Sequence, residues 1–154
     1  LNALAEDLKT LERLTLPVIV TPHPGEMARL TRLSTEQVQR DRERIAVEFA
    51  KRYKVVVVLK GHRTVVADFE GHVEINETGN PGMASGGCGD VLTGVIAGLV
   101  GQRLPLFDAA RLGAYLHGLA GDLAADEVGE VGLIASDLLE RIPAAIEQYQ
   151  LSPT

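Results

Sequence analysis

The chain has 154 residues, of which 45% are hydrophobic and 23% are charged, and this size and composition fit one globular domain with a buried core. Its net charge of −6 at pH 7 argues against nucleic acid or an anionic membrane as a partner, because both favour clustered Lys and Arg. The single cysteine, Cys88, excludes an internal disulfide and is typical of a reducing cytoplasm, and no apolar run approaches the roughly 20 residues that span a bilayer.

The first part of the chain predicts helices around one short strand. Apolar residues at helical spacing predict a helix over residues 4–14, which Pro17 ends. Residues 18–20 predict a short buried strand. Two prolines and a glycine within residues 21–25 predict an irregular loop, and a short helix is expected over residues 26–30.

The middle of the chain predicts one long helix, a buried strand and a hairpin. Ser34 and Gln37 form a capping-box pattern, which predicts the start of a helix with one apolar side, made by Val38, Ile45, Phe49 and Tyr53. Residues 55–59 are a continuous aliphatic run, typical of a strand buried on both faces of a parallel sheet. Residues 64–68 and 73–76 predict a hairpin around Glu70 and Gly71.

The last part of the chain predicts three helices. Residues 91–101 are apolar nearly all round, which predicts a buried helix, and residues 107–125 predict another, rich in Ala and Gly. The last helix is expected over residues 135–149, with Ser136 as its cap. Because strands alternate with helices, the chain is predicted to be an α/β layered fold.

The most informative stretch is residues 79–92, where five glycines precede an apolar helix. Gly86, Gly87 and Gly89 crowd against Asp90, and a helix that begins after such a loop directs free N–H groups and a positive dipole end at a ligand. This pattern predicts a phosphate site. A carboxylate there favours general-base chemistry on a hydroxyl that attacks a phosphoryl group. The alternative is a structural turn with Asp90 as an ordinary first-turn residue.

Two further segments follow predicted strands, at the edge where open α/β sheets hold their active sites. Lys60 follows the buried strand and can reach phosphate as a point charge, although the segment can also be only a polar exit into the hairpin. His23 lies between two prolines that fix its loop, and Glu26 could hold Mg²⁺ indirectly or interact with a helix dipole. The alternative there is a rigid structural turn. His117 is expected to be a packed core or interface residue rather than a catalytic one, and no cluster of His and Cys residues has the spacing of a zinc site.

Four motifs carry a resemblance to a known family. They are Thr21-Pro22-His23-Pro24-Gly25-Glu26, Val58-Leu59-Lys60-Gly61-x-x-Thr64, Gly79-Asn80-x-Gly82-Met83-Ala84-Ser85-Gly86-Gly87-x-Gly89-Asp90-Val91-Leu92-Thr93-Gly94 and His117-Gly118-x-Ala120-Gly121. Their order and spacing resemble the ADP/ATP-dependent NAD(P)H-hydrate dehydratases of the ribokinase-like superfamily. The resemblance implies an α/β fold, a ribokinase-like three-layer α/β/α sandwich with a mostly parallel sheet.

The resemblance also implies a repair reaction, in which a nucleotide phosphorylates the ring hydroxyl of hydrated NADH or NADPH and phosphate is then eliminated. Asp90 would accept the hydroxyl proton, and the loop of Gly86, Gly87 and Gly89 would stabilise the transferring phosphoryl group. His23 and Asp90 would contact the hydrated cofactor. The residues implied to contact the nucleotide are Lys60, Gly61, His62, Arg63, Thr64 and Gly89. ADP is favoured over ATP, with Mg²⁺, and the protein is expected to be a cytoplasmic homo-oligomer, a tetramer or larger.

The family also has a first half with glycine-rich contacts and an Asp-x-Asp-x-Leu-Asn motif, of which Leu1-Asn2 match the end. Residues 1–154 are therefore expected to form a single domain, the C-terminal half of a longer ribokinase-like domain without its N-terminal strands. Two alternatives stay open. One is a ribokinase-like kinase for a vitamin precursor or sugar, and the other is a non-catalytic nucleotide-binding fragment.

Overall fold

The computed structural model describes residues 1–151, and this part contains four strands and eight α-helices. The strands are β1 (Ile19–Val20), β2 (Val56–Leu59), β3 (Val65–Ala67) and β4 (Val73–Ile75). The helices are α1 (Asn2–Glu6), α2 (Lys9–Arg13), α3 (Pro24–Thr31), α4 (Thr35–Arg40), α5 (Arg42–Tyr53), α6 (Cys88–Gly101), α7 (Leu106–Val128) and α8 (Ala135–Leu151). A 3-10 turn over Pro81–Met83 lies between β4 and α6. None of these helices combines the length and apolar character that a membrane crossing requires.

The strands form one sheet in the order β1-β2-β3-β4. β1 and β2 are parallel, with Ile19 opposite Val56, because α3, α4 and α5 carry the chain back across the sheet. β2, β3 and β4 pair antiparallel, since the connections between them are too short for a crossover. Within the described residues, the β1–β2 pairing is thus the parallel part of the sheet, and the predicted hairpin is confirmed as β3–β4.

Helices cover both faces of β2, and this arrangement builds the layers. Val57 and Leu59 join a core cluster that contains residues of α3, α4 and α5. Val56 and Val58 face the other way, into a cluster with residues of α6 and α7. All four residues of β2 are buried, as predicted from its unbroken aliphatic run.

Glycines let α7 approach its neighbours closely. A Cβ on Gly113 would lie 2.6 Å from Cγ1 of Ile96 in α6. A Cβ on Gly118 would lie 2.7 Å from the carbonyl carbon of Thr78, and a Cβ on Gly121 would collide with the side chain of Met83. Contacts this short are possible only where no side chain intervenes, so α7 is fitted against both α6 and the loop before it.

The helix predicted over residues 4–14 is two helices in the structure. Asp7 ends α1, and its carboxylate accepts the backbone N–H of Lys9 at 3.1 Å and the hydroxyl hydrogen of Thr10. The carboxylate therefore starts α2 rather than allowing α1 to continue, which is the competition that Asp offers to helix-interior hydrogen bonds.

The helix that begins after Ser34 is also interrupted. The capping box of Ser34 and Gln37 is confirmed, because each side chain accepts the other's backbone N–H. Asp41, however, has φ −144° and ends α4, and its carboxylate binds Arg44 in the first turn of α5. The apolar side predicted for one helix is therefore shared by α4 and α5.

Helix α6 begins earlier than predicted, whereas α8 begins at residue 135 as predicted but without the predicted cap. α6 begins at Cys88 rather than residue 91, because Gly87 with φ 93° supplies the turn before it. Its buried residues are Cys88, Leu92 and Ile96, and the opposite face is open in this chain, in contrast to the predicted all-round burial. Ser136 lies inside α8 and does not cap it; the carboxylate of Asp137 accepts the N–H of Ile134 instead.

The close α7 contact predicts opposite effects for two Gly→Ala substitutions. Gly118→Ala places a methyl group against the backbone of Thr78 and should lower the free energy of unfolding by about 1–3 kcal/mol. Gly98→Ala in α6 meets no atom within 4 Å, so it should raise the free energy of unfolding by up to about 1 kcal/mol through helix propensity. Thermal and urea unfolding of both variants would measure this, and equal stabilities would contradict the tight-contact account.

The turn between β3 and β4 is organised by the buried carboxylate of Asp68. Its Oδ1 accepts the backbone N–H groups of Glu70, Gly71 and His72, and its Oδ2 lies 2.7 Å from Nδ1 of His72. Hydrogen bonding to Asp68 raises the pKa of His72 above 6.5. Burial raises the pKa of Asp68, but the hydrogen bonds from His72 and Gly71 together lower it by more. The pKa of Asp68 therefore lies below 3.8.

This pair predicts a pH-dependent contribution to stability. Because the pKa of His72 is raised on folding, its contribution is complete below pH 6.5 and is lost as the pH rises through the raised value. Because the pKa of Asp68 is lowered, its contribution is present above pH 3.8 and is lost as the pH falls through the lowered value. The difference in melting temperature between the native protein and His72→Gln should therefore be larger at pH 5.5 than at pH 8.5. A pH-independent difference would contradict the ion pair.

Candidate functional site

A cavity of about 590 Å³ lies where β1 and β2 end. Its walls come from the loops that follow these strands, from the segment before α6, from the first turn of α6 and from α7. The predicted site residues that line it are His23, Lys60, Gly61, His62, Arg63, Thr64 and Gly89. Segments far apart in sequence therefore meet at the edge predicted from the strand order.

His23 is held by a reciprocal cap at the start of α3. Its Nδ1 accepts the backbone N–H groups of Gly25 and Glu26 at 3.1 and 3.3 Å, while its own backbone N–H donates to Oε2 of Glu26 at 2.8 Å. Because Nδ1 accepts, the ring proton lies on Nε2. The half-exposed ring thus presents an N–H donor at the rim of the cavity, 3.5 Å from the Glu26 carboxylate.

Lys60 brings a positive charge to the first turn of α6. Its Nζ lies 4.0 Å from Oε2 of Glu26, and a Cβ on Gly89 would lie 3.0 Å from that same Nζ. Gly89 therefore leaves room for the ammonium group. The positive end of the α6 dipole and the Lys60 ammonium share one small volume, which is the electrostatic environment that binds a phosphate group.

The glycine-rich segment is fixed from behind by Asp122 of α7. Its carboxylate accepts the backbone N–H of Gly79 at 2.9 Å and the side-chain amide of Asn80 at 3.0 Å. Oδ1 of Asn80 in turn accepts the N–H of Gly82 at 3.1 Å. The segment is thus a braced wall of the cavity rather than a free loop. Asp122 was not predicted, since nothing in the sequence near it marks a partner 43 residues away.

His117, for which a packed core or interface position was expected rather than a catalytic one, also contributes to the site. It lines the cavity, and its Nε2 donates to the carbonyl oxygen of Cys88 at 2.8 Å. Burial lowers its pKa below 6.5, and the charge of Lys60 lowers it further, so the imidazole is neutral at neutral pH. The hydrogen bond holds the first residue of α6 against α7.

Asp90, Gly86 and Gly87 lie at the start of α6 but do not line this cavity. Successive helix residues are rotated by about 100°, so Cys88 and Leu92 face the cavity whereas Asp90, the third residue, faces the open side. The structure therefore brings the predicted nucleotide contacts and His23 together. It places the predicted base on the neighbouring exposed surface of the same helical turn.

Comparison with known proteins identifies the family. The family model described as NAD(P)H-hydrate dehydratase matches residues 1–144. The bifunctional NAD(P)H-hydrate repair enzyme Nnr of Moorella thermoacetica is 51% identical over 97% of this chain, a match that covers 28% of that protein. The ADP-dependent (S)-NAD(P)H-hydrate dehydratase of Neisseria meningitidis is 43% identical over 90% of this chain and 48% of its own length.

Solved structures agree with the sequence matches. The crystal structure of the ADP/ATP-dependent NAD(P)H-hydrate dehydratase from Bacillus subtilis, co-crystallised with ATP and Mg²⁺, matches with a TM-score of 0.83 and 38% identity, over 86% of this chain and 48% of that one. A ribokinase-like superfamily protein from Enterococcus faecalis matches with a TM-score of 0.71 at 35% identity, over 88% of this chain and 46% of that one. The chain thus spans about half the length of these proteins and about a quarter of the bifunctional enzyme. The predicted ribokinase-like α/β class is confirmed, and the chain belongs to the NAD(P)H-hydrate dehydratase family.

Proposed function

We propose that this chain carries the nucleotide side of a site that repairs hydrated NADH or NADPH at the expense of ADP. One observation carries the proposal: the residues after β1, the residues after β2 and the first turn of α6 converge on a single cavity. The relatives named as ADP-dependent dehydratases support the substrate and the co-substrate. The same family match favours a dehydratase over a vitamin or sugar kinase.

The phosphate end of the nucleotide would lie between Lys60 and Gly89. Phosphoryl transfer spreads negative charge over the transferring group, and catalysis consists mostly of positioning and of stabilising that charge. The Lys60 ammonium, the α6 dipole and backbone N–H groups of the first turn supply fixed positive charge there. Because these groups are held by packing and hydrogen bonds, little reorganisation is needed as charge develops.

The ring hydroxyl of the hydrated cofactor would approach from the open side of α6, where Asp90 is exposed. Asp90 would accept the hydroxyl proton as the oxygen attacks the terminal phosphoryl group of ADP, which leaves AMP. This transfer forms a new O–P bond, and the existing bond between the ring carbon and that oxygen then breaks, with its electron pair leaving on the phosphate. A neighbouring ring carbon loses a proton, so phosphate leaves and the double bond of the reduced cofactor is restored.

Mg²⁺ fits this arrangement only indirectly. Glu26 is the nearest carboxylate to Lys60, but its Oε2 already accepts the N–H of His23. Mg²⁺ keeps several waters and is commonly held by one or two carboxylates together with substrate phosphates. Glu26, through water, and the nucleotide phosphates would therefore hold the ion, which would supply neutralisation of phosphate charge.

Assembly and location are further parts of the proposal. We propose a homo-oligomer, a tetramer or larger, and exposed apolar side chains on α8, including Leu139 and Ile146, support an association surface. A cytoplasmic site of action is supported by the single free thiol of Cys88. Sedimentation velocity on the complete protein would measure the assembly.

The activity itself is tested with hydrated NADH as substrate. The complete protein, given hydrated NADH, ADP and Mg²⁺, should regain the absorbance of the reduced nicotinamide and release AMP and phosphate in equal amounts. Hydroxylated vitamin precursors and sugars serve as control substrates. Absence of recovery with both ADP and ATP, together with phosphorylation of a control substrate, would favour the kinase. ADP binding without any turnover would favour the non-catalytic fragment.

The assignment of Asp90 predicts a separation of binding from chemistry. Asp90→Asn removes the proton acceptor but keeps the size of the side chain at a position outside the cavity lining, so ADP affinity should stay within about threefold. Turnover should fall by about 10²–10⁴-fold. Calorimetry with ADP and the absorbance assay measure the two effects, and Asp137→Asn in α8 is a matched control. Unchanged turnover in Asp90→Asn would remove Asp90 from the mechanism.

A further inference from the structure

Arg42, the first residue of α5, reaches across to the loop that follows β2. Its two terminal nitrogens donate to backbone carbonyl oxygens, Nη1 to His62 at 2.6 Å and Nη2 to Leu59 at 2.8 Å. One planar guanidinium therefore bridges the end of β2 and the middle of the 60–64 loop. The fork geometry suits two acceptors at once, which a Lys ammonium cannot reproduce.

The charge of Arg42 has an unusual environment. Burial lowers the pKa of the guanidinium, and no carboxylate of residues 1–151 lies within ion-pair distance of it. Its Nε is buried and has no hydrogen-bond partner in the described chain. A half-buried, unpaired charge costs stability, so a stability role alone does not account for placing it here.

The two hydrogen bonds of Arg42 also set the direction of the peptide groups in the loop. In a trans peptide the N–H points opposite to the C=O, so a carbonyl turned toward Arg42 turns the following N–H away from it. The N–H of Lys60, in the same peptide group as the Leu59 carbonyl, accordingly points away from Arg42 and donates to the carbonyl of Pro22 at 2.8 Å, where it continues the β1–β2 ladder. The N–H of Arg63 likewise points away from Arg42, and His62 and Arg63 line the cavity whereas Arg42 does not.

The backbone of the loop is shaped to match. Gly61 has φ 138° and Arg63 has φ 57°, two left-handed positions at which the loop backbone changes direction. A Cβ on Gly61 would lie 3.0 Å from Nη1 of Arg42, so a side chain there would displace the guanidinium. The position of the Arg42 guanidinium therefore requires that residue 61 has no side chain.

We propose that Arg42 is a positioning residue for the nucleotide: it presets the 60–64 loop so that a backbone N–H faces the phosphate, and it adds positive charge behind that loop. The inference rests on the proposed function, in which the loop contacts ADP. It goes beyond that function by assigning the preorganisation of the loop to a residue outside the cavity.

The experiment separates loop order from nucleotide affinity. Three variants of Arg42 are compared. Arg42→Lys keeps the positive charge, Arg42→Gln keeps an uncharged hydrogen-bond donor, and Arg42→Ala keeps neither. Arg44→Ala is the matched control, because Arg44 lies on the same helix, is exposed and, within residues 1–151, forms its ion pairs with Asp41 and Glu48. Amide ¹⁵N relaxation of Gly61 and Arg63 without nucleotide reports loop order, and calorimetry with ADP reports affinity.

In the native protein and in Arg44→Ala, the order parameters of Gly61 and Arg63 should be near 0.85, and they should fall below about 0.6 in Arg42→Ala. The Kd for ADP should rise at least about tenfold in Arg42→Ala and by less in Arg42→Lys and Arg42→Gln. If Arg42→Ala does not fold, the order parameters of the loop and the Kd for ADP are measured in Arg42→Lys and Arg42→Gln, and these two variants test the inference.

Loop order and ADP affinity that are unchanged in folded Arg42 variants would overturn the inference. A native protein that binds no ADP would contradict the proposed function instead, while the relaxation data would still decide whether Arg42 orders the loop. A loss of affinity with unchanged order parameters would also overturn the positioning role, since it would leave only a long-range charge effect.

Discussion

The close packing of α7 against α6 and against the segment before it is the constraint on which the site depends. Gly113, Gly118 and Gly121 remove the side chains that would hold these elements apart. Asp122, on the same helix, then reaches the backbone of Gly79, and His117 reaches the carbonyl of Cys88. One helix therefore positions both the glycine-rich wall and the helix N-terminus that faces the cavity.

The parallel β1–β2 pair supplies the other half of the frame. Because both strands end at the same edge, the N–H of Lys60 can donate to the carbonyl of Pro22, and this bond continues the ladder beyond the strands. The ammonium of Lys60 and the carboxylate of Glu26 then come to within 4.0 Å. The cap of His23 on α3 fixes Glu26 in turn, so loops after two different strands behave as one rigid wall.

Much of the layered fold could be predicted from the sequence because its signals are local. The aliphatic run of β2, the capping box of Ser34 and the turn between β3 and β4 each follow from neighbouring residues. The breaks at Asp7 and Asp41 could not, because apolar periodicity continues past both and only the side-chain hydrogen bonds stop the helices. Likewise, the open face of α6 carries small residues such as Ala97 and Gly98, whose size and character are compatible with either burial or exposure.

The same distinction holds for the site. Lys60, His23 and Gly89 could be found because they directly follow strands or glycines, which are local marks of a ligand edge. Arg42, His117 and Asp122 act through carbonyl oxygens and backbone N–H groups 17 to 43 residues away, and these partners leave no trace in side-chain chemistry. Sequence patterns thus identified groups that face the cavity, and the structure adds the groups that hold them.

Residues of the first turn of α6 face two different sides of the helix. Gly89 and Cys88 face the cavity with Lys60, whereas Asp90 faces the open side of the helix with Thr93, Ala97 and Gly98. Under the proposed function, a nucleotide phosphate held on one side and a hydroxyl delivered on the other would meet at the N-terminus of α6, where residues 86, 87 and 89 are glycines without side chains. The glycines are then needed twice, once for the turn at Gly87 and once to leave the transfer path free. This geometry would let a carboxylate stand beside the proposed phosphate site: the helical rotation keeps Asp90 off the Lys60 side of the turn, and under the proposed function the substrate hydroxyl would arrive from the open side.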